Sequence, residues 1–190
     1  DIDAAGEAIK AADIVLMRLE IPLEIVQYVS EIARKAGVKV VLNPAPANEL
    51  PGIIYRLTDI LIPNRTEAEL LSGVDIRSWE DAERAAGKLA DKGVGTVIIT
   101  LGDMGALLLD GGRFTRIRTK KVIAVDATAA GDTFCGALCV AITEGKGLEE
   151  AIEFANVCSG ISVGRLGAQP SIPYRREVDT VMREKCPDAV

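Results

Sequence analysis

The sequence predicts an α/β fold built on a mostly parallel sheet. Three observations lead there: short apolar runs bounded by turn residues, amphipathic helical stretches between them, and regular alternation of the two over the first hundred residues. DIVLM (13–17) reads as a buried strand. Pro22 then opens a helix with Leu23, Val26, Val29, Ala33 and Ala36 on one side, stopped by Gly37. VKVVL (38–42) is the next strand, followed by the proline-rich loop NPAPANELP. DILIP (59–63) is the third strand, and in the short helix after it Thr66 and Glu69 have capping-box spacing. Ser78 and Asp81 repeat that spacing before a helix over 79–92, which Gly93 ends. TVIIT (96–100) is the fourth strand. In sheets of this kind, ligands bind at the carboxyl ends of the strands.

The pattern then changes. GALLLDGGRFTRIR (105–118) reads as a hairpin turning at Gly111-Gly112. Helices follow over 132–143, 148–163 and about 175–185. In the first, Phe134, Ala137, Leu138, Ala141 and Ile142 line one face, and Cys, Gly and Val fill the other, so the helix is expected to be buried on all sides. No repeat, linker or low-complexity stretch interrupts residues 1–190, which read as a single domain.

Composition narrows the function classes. The chain has 190 residues, 48% of them hydrophobic and 26% charged, enough to bury a substantial core. Its net charge is −6 with no basic tract, which argues against a nucleic-acid partner held by phosphate contacts. The longest apolar run, 135–142, is too short to span a bilayer, so no membrane partner is expected. The acidic N-terminus and the four cysteines (Cys135, Cys139, Cys158, Cys186) suit a cytoplasmic protein with reduced thiols. Cys135 and Cys139 share a helix face and read as small buried hydrophobes. There is no histidine, which excludes Ser-His-Asp and Cys-His catalysis within this chain. Any general base must be a carboxylate or a lysine.

The stretch DATAAGDTF (126–134) carries the sharpest signal. Ala129, Ala130 and Gly131 have almost no side chain and precede an acid, Asp132, at a helix start. A helix N-terminus carries roughly half a positive charge, and small residues leave its N–H groups open to an anion. Locally, Asp132 also reads as a plain helix cap. PNRTEAE (63–69) follows the third strand, where Glu67 and Glu69 also suit a helix start. TLGDMG (100–105), after the fourth strand, either holds a nucleotide phosphate or simply starts the hairpin. No G-x-x-x-x-G-K-[ST] occurs and no G-x-G-x-x-G opens a helix, so a dinucleotide oxidoreductase is excluded.

Taken in order, LE (19–20), NPAP (43–46), PNRTEAE, TLGDMG, DATAAGDTFCGAL (126–138) and GAQPSIP (167–173) resemble the ribokinase family of carbohydrate kinases (PfkB-type) over residues 12–178. NPAPANELP and GAQPSIP resemble its ribose-specific members more than its fructose or adenosine kinases. The resemblance implies a ribokinase-like three-layer α/β/α fold. It implies transfer of the γ-phosphate of ATP, with Mg²⁺, to a sugar hydroxymethyl group, most simply that of ribose. Asp132 would be the base, and the N–H groups of Ala129, Ala130 and Gly131 the anion hole. Asn64 and Glu67 match the element that organises Mg²⁺ and phosphate. Thr100, Leu101, Gly102, Asp103, Met104 and Gly105 match the nucleotide loop, with Gly131 and Asp132 at the phosphate and Asn156 near the adenine. Glu20, with Asp132, would contact the sugar. Asp126, Thr128, Ser162, Arg165, Gly167 and Ser171 match loops that hold a monovalent cation, K⁺, mainly by backbone carbonyls. The family's N-terminal sugar-gripping elements, N-terminal strands and β-lid have no counterpart here, so the expectation is its C-terminal, ATP-binding portion, with a homodimer open as its assembly. A non-catalytic nucleotide-binding or assembly module of the same fold, or another sugar or nucleoside kinase of the family, stays open as an alternative.

Overall fold

The computed structural model describes residues 2–185. Among these, the chain order is α1 (Gly6–Lys10), β1 (Ile14–Arg18), α2 (Leu23–Lys35), β2 (Lys39–Asn43), α3 (Gly52–Leu57), β3 (Ile60–Leu61), α4 (Arg65–Ser72), α5 (Trp79–Ala90), β4 (Thr96–Thr100), β5 (Ala106–Asp110), β6 (Arg113–Ile117), α6 (Ala130–Thr143), α7 (Leu148–Val163) and α8 (Arg175–Lys185). The strands form one sheet in the order β1-β2-β3-β4-β5-β6. Its first four strands are parallel, with Ile14 opposite Lys39, Val41 opposite Ile60 and Ile60 opposite Thr96. The expected mostly parallel α/β sheet is therefore present. Gly111 and Gly112, both at positive φ, turn the β5–β6 hairpin at the expected place. The start of β4 meets the end of β5, where Thr96 Oγ1 donates to Asp110 Oδ1 at 2.6 Å.

The described residues divide into two compact units. The first comprises residues up to Leu101 together with 107–116. Its inner strands are apolar without interruption, because a strand covered on both faces has no polar side. Val40, Val41, Leu42, Leu61, Val97, Ile98, Ile99 and Leu107 are all buried. The helices add their apolar stripes, Val26, Val29 and Ala33 from α2 and Ala82, Ala85, Ala86 and Leu89 from α5. Ala36, expected on the apolar side of α2, is exposed because it caps the helix beyond its last turn. The third strand is only two residues long, yet the chain stays beside its neighbours beyond it, with Ile62 N–H donating to Leu42 O at 2.9 Å and Thr100 N–H to Pro63 O at 3.0 Å. The helix at 52–57 was not foreseen: it follows Pro51, whose ring fixes the φ of a helix entrance, and it is too short to show periodicity.

One capping assignment needs correction. The cap of α4 is Asn64 with Glu67, not Thr66 with Glu69. The chain keeps to the sheet as far as the Asn64–Thr100 bridge and turns straight into the helix at Arg65, so Thr66 already lies inside it. Ser78 with Asp81 caps α5 as expected.

The second unit comprises 102–106 and the residues from Ile117 onward. Its centre is the pair α6 and α7, where Phe134, Leu138 and Ala141 are buried, as are Ala151, Ile152, Ala155 and Cys158. Many of these are small, which lets the two backbones approach. α6 is not buried on all sides: Val140 is 48% exposed and Cys139 is half-buried. Burial raises the Cys139 and Cys158 thiols to about 11, so both stay protonated. Cys186 lies outside the described residues. Arg175 fastens α8, pairing with Glu144 and Asp179 while its guanidinium stacks 5.2 Å from the Phe154 ring. Among the described residues no helix is long and apolar enough to cross a membrane.

Candidate active site

In the first unit, polar groups gather where the parallel strands end. Arg18 closes β1 and pairs with Glu20 at 3.1 Å; Glu20, with its side chain 61% exposed, is open to a ligand. Opposite Arg18 in the register stands Asn43, whose buried amide donates to Ile62 O at 2.8 Å. Asn64 follows β3 and bridges in parallel to Thr100. Its backbone N–H donates to Glu67 Oε2 at 2.8 Å, its amide donates to Oε1 at 2.7 Å, and Glu67 N–H donates back to Asn64 Oδ1 at 2.9 Å. Glu67 is only 5% exposed. Burial pushes its carboxyl above the ordinary value, opposed by the Asn64 N–H, the Arg18 charge and the Asn64 amide. Arg18 and Asn43 escaped the sequence reading, although a cation or an amide ending a buried apolar strand is a readable signal of a ligand-facing end.

The glycine turn after β4 has strict steric requirements. Gly102 and Gly105 have φ of 63° and 103°. A Cβ on Gly105 would stand 2.1 Å from the Ile117 carbonyl oxygen, so no other residue fits. Gly102 and Asp103 are exposed and Met104 half-buried. Leu101 is 2% exposed, so its side chain belongs to the core and only its backbone can meet a ligand.

In the second unit, the small-residue stretch opens α6 in an unusual way. The residue before the helix, Ala129, is left-handed with φ 60° and gives no side-chain cap. An L-residue pays about 1–2 kcal/mol for this conformation. The first N–H groups of a helix lack intrahelical partners, and here no side chain of the cap satisfies them. Ala130 N–H does reach Ala127 O at 3.2 Å, so a ligand would share that donor. Asp132 lies exposed in the first turn of α6.

Beside this turn, residues 162–171 fold back onto it. Val125 N–H and Asp126 N–H both donate to Val163 O, at 2.8 and 3.1 Å. Asp126 accepts from Thr128 N–H and Gly167 N–H, each at 2.9 Å. The Thr128 hydroxyl, the Thr128 N–H and the Gly167 N–H together hold its carboxyl below the usual value. Ser162 and Ser171 are fully buried and hydrogen-bonded to each other at 2.8 Å. The Arg165 side chain is turned away to Glu177, which leaves only its backbone available at this loop. Asn156, on α7, is 9% exposed, and its Nδ2 has no partner among the described residues. A buried amide donor without an acceptor costs about 1–3 kcal/mol, so this one can take an acceptor from outside the described residues. The structure thus gathers Glu20, Asn64, Glu67 and Thr100 at the strand ends of one unit. It gathers Asp126, Thr128, the 129–132 turn, Gly167 and Ser171 in the other.

Comparison with known proteins bears on the family and the fold. Residues 3–175 match the model of the pfkB family carbohydrate kinases. Ribokinase of Haemophilus influenzae is 47% identical over 169 residues, covering 89% of this chain and 55% of that protein. Ribokinase of Staphylococcus aureus is 42% identical over 182 residues, covering 95% of this chain and 60% of its own. The structure of Arabidopsis thaliana ribokinase complexed with ribose and ATP superposes with a TM-score of 0.92 at 35% identity, over 95% of this chain and 59% of that one. The chain therefore spans a little over half the length of these relatives and has the ribokinase-like α/β fold. With its family model matched over nearly all of its length, the chain belongs to the pfkB family of carbohydrate kinases.

Proposed function

We propose that the protein carrying this chain is a cytoplasmic, ATP-dependent sugar kinase that converts ribose to ribose 5-phosphate. One observation carries the reading most directly: an exposed carboxylate, Asp132, in the first turn of a helix whose N-terminus is left uncapped by a left-handed alanine. A carboxylate repels an anion bound at that helix end unless the reaction needs a base there. A neutral alcohol attacking a phosphoryl group supplies that need. Asp132 accepts the proton of the sugar 5-hydroxyl as its oxygen bonds to the γ-phosphorus; the bond from phosphorus to the β,γ-bridging oxygen breaks, and ADP leaves. The N–H groups of the 129–131 turn face the charge on the transferring group. Phosphoryl transfer asks for little beyond such positioning and charge stabilisation.

The other residues divide the binding work. Glu20 takes sugar hydroxyls, the glycine turn at 100–105 admits the nucleotide phosphates, and the Asn156 amide meets an acceptor of the adenine. When bound, Mg²⁺ neutralises phosphate charge. The residues present fit a water-mediated hold, since both Glu67 oxygens are already hydrogen-bonded to Asn64 and Mg²⁺ keeps several waters. A monovalent cation, K⁺, suits the oxygen-rich loop of Asp126, Thr128, Ser162, Arg165, Gly167 and Ser171, most of it through backbone carbonyls.

The test is ADP release by the full-length protein with ATP and Mg²⁺, comparing ribose, fructose and adenosine, in K⁺ and in Na⁺. Ribose-dependent release, faster in K⁺, supports the reading. ATP binding with no sugar-dependent release overturns it, and equal rates in both salts at matched ionic strength remove the selective cation site.

A further inference from the structure

Three hydroxyls form a chain that takes no part in the proton transfer described above, although two of them, Ser162 and Ser171, belong to the loop offered to the cation. Thr133, the residue after Asp132, is 5% exposed, and Ser162 and Ser171 are 0% exposed. Thr133 Oγ1 donates to Ser162 Oγ at 3.4 Å, Ser162 and Ser171 Oγ are 2.8 Å apart, and Ser171 Oγ donates to Ala168 O at 2.7 Å. The direction of the chain follows from counting protons. Each hydroxyl has one. A carbonyl can only accept, so the proton of Ser171 is committed to Ala168 O. Ser162 must then donate to Ser171, and its own oxygen is left to accept from Thr133. A helical threonine ordinarily turns its hydroxyl back to a carbonyl one turn earlier; this one reaches across to α7 instead.

The chain spans three segments. It begins in the first turn of α6, passes through the last turn of α7 and ends in the 168–171 turn. A second contact runs parallel to it, Ser159 Oγ to Ala130 O at 3.0 Å. On the other side, Asp126 ties the same loop to the start of the small-residue stretch through Gly167. The turn that carries Asp132 is therefore held to the 164–171 loop at both ends.

We propose that Thr133 is a positioning residue: through Ser162 and Ser171 it locks the Asp132 turn to the 164–171 loop, so that the order of that loop sets the aim of the base. This rests on the kinase reading above. Apolar packing holds α6 against α7, but it does not give the first turn of α6 a directed tie to the 164–171 loop. A directed hydroxyl chain does, and a misplacement of about 1 Å in a reacting group can cost on the order of 10²-fold in rate.

The experiment uses full-length protein with Thr133→Val, which keeps the branched shape and removes the hydroxyl, Thr133→Ser, which restores it, and Ser162→Ala. Thr133→Val is expected to lower kcat about tenfold with the KM for ATP within twofold, and Thr133→Ser to recover most of the loss. Ser162→Ala should act alike, and the Thr133→Val/Ser162→Ala double variant should be no worse than the poorer single one, as links of one chain require. Amide exchange at Gly167 and Ser171 should quicken in Thr133→Val and not in Thr133→Ser. Unchanged kcat in Thr133→Val, equal loss in both Thr133 variants, or additive losses in the double variant overturns the proposal. If the unaltered protein turns over no ribose, the kinase reading fails by itself. The exchange rates then decide on the chain alone, and unchanged rates in Thr133→Val overturn it.

Discussion

At the scale of single residues, Asp132 lies exposed in the first turn of α6, behind a left-handed alanine that offers no side-chain cap. Asp132 was legible because three nearly side-chain-free residues precede it in a chain without histidine. Replacing it by Asn keeps the shape of the first turn and removes the proton acceptor. Asp132→Asn is expected to leave ATP affinity within a few fold and to lower turnover at least ~10²-fold; titration calorimetry and an ADP-release assay measure the two. Ser162 gave no sign of its bond to Thr133, because partners 29 positions apart in sequence meet only through tertiary packing. Asp126 yields a pH prediction. Its carboxyl is held below the ordinary value in the folded chain, so its tie to Thr128 and Gly167 is fully present above about pH 4 and is lost as pH falls through the lower folded value. The Gly167 amide resonance should titrate with a midpoint below about pH 4, and Asp126→Asn should abolish that step.

At the scale of elements, strands and long helices were found within a residue or two, because their apolar patterns are local. What failed was local too, but required knowing where a strand stops. The chain passes from the Asn64–Thr100 bridge directly into α4, which puts the cap at Asn64 rather than Thr66. The two capping boxes provide a controlled comparison, since Asn64–Glu67 and Ser78–Asp81 have the same geometry and only the first lies at a ligand-facing strand end. Asn64→Ala and Ser78→Ala should each cost about 1 kcal/mol of stability by urea unfolding. Only Asn64→Ala should also weaken the apparent Mg²⁺ dependence of ribose phosphorylation, by tenfold or so. Equal effects of both on Mg²⁺ dependence would reduce Asn64 to an ordinary cap.

At the scale of the molecule, the two borders of the sheet differ. The β6 border bears Arg113 and Arg116, and Arg116 is drawn onto Glu80, Glu83 and the Trp79 ring. Charges of this kind discourage strand addition. The β1 border is Ile14, Val15, Leu16, Met17 and Arg18, charged only at its last residue, with Leu16 38% exposed and no strand beyond it among the described residues. The 190-residue polypeptide by itself should accordingly self-associate in sedimentation. It should also phosphorylate ribose below ~1 s⁻¹, a tenth of an ordinary enzyme rate of ~10 s⁻¹. A monomer with ordinary turnover would show that these residues need nothing more. The class of fold was visible in the sequence. The division into two units was not, because α6 and α7 follow the sheet with no change of composition to mark a boundary.

The strand order, β1 to β6 without a single transposition, also bears on how the chain acquires its shape during synthesis. Each strand from β2 to β6, on leaving the ribosome, finds its neighbour already made, so none of these five has to wait for a segment not yet translated. Loop closures stay short, and short closures are the fast ones. The sheet can grow by accretion at one border, and a translational pause after any βα pair leaves a smaller version of the same sheet rather than an orphaned strand. Circular permutation inside the β1–β4 region, which destroys this vectorial order while keeping every contact, should slow refolding more than it lowers stability.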